Sequence, residues 1–311
     1  MKKILIVYSL IMPLFLAAQR RPAEAGVVSD NDLYVSTVSD KYYTAGFEFF
    51  YRFLNKASTD DVKKITDLRV GQYIFNPRTR QAADPARIDR PFAGYLFAEA
   101  GKGYFRERSV LKWYGQVGVV GPDAFAEETQ KAIHFLFGYK RVYGWEHQVR
   151  NAWAAQLGGS YARTLSAGPR FDVNFQAEAY AGTVLSGARV GFLSRISLWG
   201  DLKTLSASNL YDGALSADPA AYSDHELYFY ISPNFKYQGH DATIEGSLFD
   251  NDSPVVFDVK PFLFSGEAGF KYRRNRWSVT YAFLYHTKEV RNSPNNMGHY
   301  YGSIVVSKFL D

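Results

Sequence analysis

The stretch Trp277-Ser278-Val279-Thr280-Tyr281-Ala282-Phe283-Leu284-Tyr285-His286 decides the fold. Its bulkiest apolar side chains fall at every second position, the period of a strand with one apolar face and not the 3.6-residue period of a helix. The same alternation sets Val173, Phe175, Ala177 and Ala179 against Asp172, Asn174, Gln176 and Glu178. It returns in residues 47–53, 111–119, 153–161, 227–237 and 262–272, where the second face carries Glu, Lys, Gln, Ser or Gly. Extended outward, the pattern predicts strands at Val27–Ser36, Tyr43–Leu54, Ile65–Phe75, Phe92–Tyr104, Ser109–Val120 and Gln148–Arg163. Six more follow at Arg170–Gly182, Ala188–Trp199, Glu226–Tyr237 with an extension through Ile244, Phe262–Arg273, Trp277–His286 and Tyr300–Phe309.

Twelve antiparallel strands form an even set that returns both ends of a closed barrel to one side, as in outer-membrane barrels. These segments are also longer than most strands of soluble proteins. Alternation alone does not say which way the apolar face points. A twelve-stranded barrel is too wide for an all-apolar interior to be filled, so the polar face is expected inside and the apolar face in lipid. The fold class predicted is therefore all-β, a twelve-stranded antiparallel transmembrane β-barrel with a short helix in an outer loop. Tyr104, Trp113, Trp199, Tyr237, Trp277 and Tyr301 fit interfacial girdles. Residues 201–224 make an oddly long connection on the side of the termini, explained by a missed strand or an elaborate turn.

At the N-terminus Lys2 and Lys3 precede an apolar run, Ile4–Leu16, and then Ala17-Ala18-Gln19. That is the order of a signal peptide, cleaved near Ala18 or Gln19, and the run is short for a span of roughly 20 residues. Residues 1–19 are assigned to it and 20–311 to a single barrel domain. Removing it deletes two basic groups and no acidic one, so the formal charge falls from +5 to +3, too small a surplus to imply nucleic-acid binding. The absence of cysteine excludes disulfide frameworks, Cys-based zinc sites and cysteine nucleophiles.

The outer loops carry the candidate chemistry. Gly121-Pro122-Asp123 supplies a break and an N-cap before a helix at Ala124–Phe137, which Gly138 stops. Gln130 and His134, four apart, share one face, and Phe125, Ala132, Ile133 and Leu136 are expected to pack on the barrel. Asp30, Asn31 and Asp32 end the first strand, across a short connection from Tyr43-Thr44-Ala45-Gly46. Oxygens gathered at a strand end suit a hard cation such as Ca²⁺, and turn chemistry accounts for Asp-Asn-Asp equally well.

Asn31-Asp32, Tyr43-Thr44-Ala45-Gly46, the segment Asp89-Arg90-Pro91-Phe92-Ala93-Gly94-Tyr95, Gln130 with His134, and Gly144-Trp145 occur in an order that resembles the outer-membrane lipid A 3′-O-deacylase (LpxR) family. The resemblance runs through residues 27–151 and rests on barrel rhythm beyond. It implies an outer-membrane enzyme that hydrolyses the ester holding the 3′ acyloxyacyl chain of lipid A and needs Ca²⁺. Its implied partners are lipid A or lipopolysaccharide and the outer-membrane lipid, with no obligate protein partner. Carried over by position, His134, Asn31, Asp32 and Thr44 match active-site residues and Gln130 a supporting one, with Asp32 helping to hold the metal. Arg78 and Arg80 are candidates for binding lipid A phosphates, while Arg90 is the more structural of the loop arginines. In one respect the chain departs from the family, some members of which have an acid six positions after the histidine, where Lys140 stands.

An ester at a lipid surface needs a proton acceptor for the attacking water and a positive partner for the oxyanion. An imidazole, which titrates near neutrality, suits the first role. No Gly-x-Ser-x-Gly segment supports a serine nucleophile instead. The competing functions are a non-enzymatic barrel, pore or structural, and a soluble secreted β protein that binds an apolar ligand.

Overall fold

The computed structural model describes residues 21–35, 41–59, 61–79, 82–223, 225–249, 252–293 and 296–310. The signal-peptide assignment and Arg80 lie outside these residues. Twelve strands close into one antiparallel barrel in sequence order, β1 pairing with both β2 and β12. They are β1 Ala23–Asn31, β2 Tyr42–Leu54, β3 Lys63–Asn76, β4 Ala93–Arg106, β5 Ser109–Val120 and β6 Ala152–Ala167. Then come β7 Phe171–Gly182, β8 Leu185–Trp199, β9 His225–Asp241, β10 Phe262–Arg274, β11 Trp277–His286 and β12 His299–Leu310. Closure removes every free strand edge, which is what lets a β-structure cross a lipid bilayer without unpaired backbone groups.

The alternation resolves as expected. Inward positions carry an ion-pair lattice in which Arg52 meets Glu24 at 3.2 Å and Asp67 at 2.5 Å, Arg69 meets Glu48 at 2.5 Å, and Arg195 is locked to Asp172. Outward positions carry Trp153, Phe262, Phe235 and Val117, all well exposed. Of the residues assigned to girdles, Trp113, Trp199, Tyr237 and Trp277 are exposed on the wall. Tyr301 is not: it packs 4.6 Å from the ring of Tyr43, whose hydroxyl donates to the inward-facing Asp30.

Two local corrections concern strand ends. β1 stops at Asn31, five residues before the expected Ser36, because the Asn31 side chain accepts the Leu33 N–H at 2.8 Å and starts a 3-10 turn, Asp32–Tyr34. The expected extension of β9 through Ile244 is instead a helical turn, Ala242–Glu245, capped by Asp241.

Of the two explanations for the long connection, the elaborate turn is the right one: residues 200–223 hold no strand and fold back into the barrel mouth beside the chain termini. Leu205, Leu210 and Leu215 pack there with Phe105, Leu193, Tyr228, Tyr230 and Phe309 of the wall. Lys63 donates to the carbonyls of Ser206 and Gly213, Lys271 to those of Asn209 and Leu210. The segment is a plug.

Candidate active site

Site assembly begins with the loop between β5 and β6, residues 121–151, which lies across the outside of the wall. Its helix, α1, spans Ala126–Phe137. Asp123 does not cap it. Pro122–Ala124 forms a separate 3-10 turn, and Phe125, in the left-handed region, joins the two. A methyl group added at outward-facing Gly94 of β4 would lie 2.6 Å from the Cβ of Ala126 and 2.9 Å from that of Ala124, so only glycine admits this close approach. Gln72 on the same outer face of β3 donates to the Ala124 carbonyl at 2.6 Å.

The face that α1 turns to the wall is the reverse of the one expected from apolarity. Ala126, Gln130 and His134, at four-residue spacing, are buried, whereas Phe125 and Leu136 are 57% and 75% exposed and Ala132 is exposed as well. Ile133 alone of the four expected packing residues is half-buried.

At the far end of this buried stripe a cavity of about 20 Å³ is lined by Asn31, Leu33, Thr44, Ala45, Ile74, Gln130, Ile133, His134 and Tyr139. Asn31, Ala45 and Ile74 are successive cross-strand partners on β1, β2 and β3, on the outward face. The cavity therefore sits on the lipid side of the wall, at the rim away from the termini. Its volume is enough for a water molecule and too small for an acyl chain. Larger grooves of about 690 and 630 Å³ exist on the molecule, but neither is lined by a histidine.

Within the site, His134 Nδ1 lies 2.5 Å from the carbonyl oxygen of Lys140. A carbonyl only accepts, so Nδ1 carries the proton, and in the neutral ring the lone pair belongs to Nε2. The Gln130 Oε1 accepts the indole N–H of buried Trp145 at 2.8 Å, which fixes the amide, and the Trp145 ring rests on Phe92. The Gln130 Nε2 and the Thr44 Oγ1 are buried without a hydrogen-bond partner among the described residues, an arrangement natural structures keep for water or a ligand.

Four of the residues singled out in the sequence, Asn31, Thr44, Gln130 and His134, are brought together by this geometry. Asp32 is adjacent but does not line the cavity; it is buried, and its Oδ2 accepts the Lys41 N–H at 2.9 Å. The triplet Asp30-Asn31-Asp32 is thus split three ways, into the lumen, onto the outer face and back toward Lys41. Arg78 is exposed, with its backbone N–H held by Asp89 Oδ1 at 2.9 Å. Asp89 also accepts from Tyr42, so it braces the loop through a hydroxyl and a backbone amide. Arg90 is fully buried, donating to Thr243 Oγ1 at 2.9 Å and facing Glu289 at 3.8 Å. Burial alone would push the Glu289 carboxyl up, but the neighbouring His299 and Arg90 hold it down at about 2. Tyr139, not selected in the sequence, stands edge-on to His134 at 5.6 Å; its position just after the Gly138 stop was the one available signal.

A closed barrel with charges inside and apolar side chains outside belongs in lipid, and the chain is an outer-membrane β-barrel protein. The sequence profile described as "Outer membrane protein LpxR" matches residues 4–310, nearly the whole chain, and the chain belongs to that family. Among solved structures, LpxR from Salmonella typhimurium is similar over 92% of this chain and 100% of its own, at 15% identity and a TM-score of 0.73. The β domain of the Bordetella autotransporter BrkA covers 93% of this chain and 98% of its own, at 8% identity and a TM-score of 0.47, a looser likeness. No curated protein matches the sequence.

Proposed function

We propose that the protein is a hydrolase of the outer membrane that cleaves the ester-linked 3′ acyloxyacyl chain of lipid A, with His134 as general base and Ca²⁺ as cofactor. One observation carries this: Asn31, Thr44, Gln130 and His134, from three separate parts of the chain, surround a single water-sized cavity on the lipid-facing side of the wall. A lipid ester lying against the wall would meet it without leaving the leaflet.

The chemistry follows from the tautomer. The Nε2 lone pair takes a proton from water as its oxygen attacks the ester carbonyl. The tetrahedral oxyanion then collapses, breaking the bond to the sugar oxygen, and the imidazolium returns the proton to that leaving oxygen. The Thr44 hydroxyl and the Gln130 amide, both buried, orient the water or donate to the oxyanion. The Lys140 carbonyl keeps the imidazole in the productive tautomer and steadies the charged ring.

Among the described residues no cluster of three His, Cys, Asp or Glu side chains could hold a metal by itself. The oxygens present are one carboxylate, Asp32, with the hydroxyl of Thr44 and the amide of Asn31. These are hard donors that suit Ca²⁺, with water or lipid phosphate completing about six to eight positions. When bound, Ca²⁺ would supply positive charge opposite the developing oxyanion. Arg78, exposed at the same rim, and Arg80 would pair with lipid A phosphates.

The test is purified protein in detergent with lipid A and Ca²⁺, read by mass spectrometry. Loss of one acyloxyacyl group is expected, abolished by His134→Ala and by chelation. Full activity in His134→Ala would remove the proposed base.

A further inference from the structure

Three consecutive large apolar side chains at the end of α1 stand exposed. Phe135 is 90% exposed, Leu136 75% and Phe137 63%. Tyr139, stacked on Phe137, and Tyr143 extend the patch. A single exposed leucine would mean little, but a contiguous set of large apolar side chains marks a contact surface.

What this patch touches is decided by where the helix lies. Its buried stripe faces the outer wall, against Gly94 at one end and Ile74, Ala45 and Asn31 at the other. Phe135 is half a helical turn from Ala126 and Gln130 in angle, so it points away from the wall. Four residues along the strands from the row Asn31–Ala45–Ile74 lies another outward row, Val27–Phe49–Val70, all three exposed. At about 3.3 Å per residue the two rows are roughly 13 Å apart along the strands. The helix thus continues the lipid-facing belt toward the rim, and the medium that wets Phe49 reaches it. Lys131, which pairs with Glu127, and Lys140 and Arg141 flank the patch with the positive charge that lipid phosphates favour.

We propose that the C-terminal end of α1, Phe135 to Phe137, inserts into the acyl layer of the outer leaflet, so that α1 is an interfacial helix clamped between barrel wall and lipid. The occupant of the patch is lipid acyl chain, not protein. Insertion explains why the helix buries Gln130 and His134 while presenting Phe135 and Leu136 outward: with hydrocarbon on its far side, the ordinary inside–outside rule for an amphipathic helix reverses. It also places the mouth of the His134 cavity at the level where acyl chains meet head groups. The inference needs the membrane barrel but not the hydrolytic reaction.

The chain has no cysteine, so single-cysteine spin labels report one site each. Full-length Phe135→Cys and Leu136→Cys would be reconstituted in phosphatidylcholine–phosphatidylglycerol vesicles, with Phe49→Cys as the lipid-facing reference and Asp123→Cys as the aqueous one. Each of these side chains is exposed, and heat-modifiable gel migration checks folding. The expected result is that labels at 135 and 136 match 49, with frequent collisions with oxygen and several-fold fewer with a water-soluble nickel chelate than at 123. Equal access of the chelate to 135, 136 and 123 would overturn insertion. Labels immobile and closed to both reagents would overturn it too, pointing to a second copy or another protein over the patch. Neither readout requires turnover, so failure here leaves the deacylase assay to be judged separately.

Discussion

The imidazole of His134 is held by the main chain of Lys140, Nδ1 to carbonyl oxygen at 2.5 Å, six residues further on. The turn that achieves this is built by Gly138, which ends α1 with a positive φ of 70°, and by the Tyr139 N–H, which bonds the His134 carbonyl at 2.8 Å. Lys140 therefore contributes its backbone here, while its own side chain is exposed.

Lys140→Ala should accordingly leave deacylation little changed. Gly138→Val should lower kcat far more than it raises KM and shift the pH–rate profile, because a β-branched residue at this φ costs about 1–3 kcal/mol and displaces the carbonyl. Nothing lies within 4 Å of a Cβ added at Gly138, so the effect would be one of backbone conformation and not collision. A large loss in Lys140→Ala with none in Gly138→Val would place the orienting group in the lysine side chain instead.

The face of α1 shows what the sequence could and could not convey. Its stop at Gly138 was legible from local chemistry, as were β5 and β11 to the residue, whereas its start was expected two residues early, at Ala124, because Asp123 was read as the cap of a helix that begins at Ala126. The buried side was misread because hydrophobic periodicity locates the core only when water is on the other side. The plug was legible only as an oddly long connection, for a different reason: Leu205, Leu210 and Leu215 are five apart, fitting neither repeat, and their partners come from strands scattered along the chain. Asn31, Thr44, Gln130 and His134 could be selected from ordered motifs, but periodicity alone would have placed none of them together.

Gln130 is expected to act through position. Replacing it with Ala strands the buried Trp145 N–H, which should cost about 1–3 kcal/mol, and lets that side of the cavity relax. The measurements are thermal unfolding and tryptophan emission beside kcat. Gln130→Glu retains an acceptor for the indole and should recover more of the stability than Ala does. Equal stability in both variants would show that the indole bond contributes nothing.

Asp32 tests the metal. Asp32→Asn keeps an oxygen for the Lys41 N–H while removing the charge, so the fold should survive and the Ca²⁺ concentration needed for half-maximal hydrolysis should rise. Asp32→Ala should lose both. An unchanged Ca²⁺ requirement in Asp32→Asn would mean that the carboxylate is no ligand.

The plug makes the pore alternative testable through Asp212, which meets Lys112 at 2.7 Å and Arg52 at 3.1 Å. Burial alone would raise its carboxyl, but Arg52, Lys112 and Lys271 hold it well below the usual carboxylate range. A folded-state pKa depressed in this way adds stability that is complete above the ordinary aspartate value of about 4, and that stability is lost as pH falls through the folded value. At neutral pH the plug should be fully held, and planar bilayers containing the protein should show no steady conductance. Asp212→Asn removes the charge that three cations converge on and leaves them to repel one another, so brief openings should appear at neutral pH. The wild type should acquire the same openings only in strong acid. Steady conductance of the unmodified protein at neutral pH would show that the lumen is passable despite Leu205, Leu210 and Leu215, and the non-enzymatic channel would then have to be taken up again.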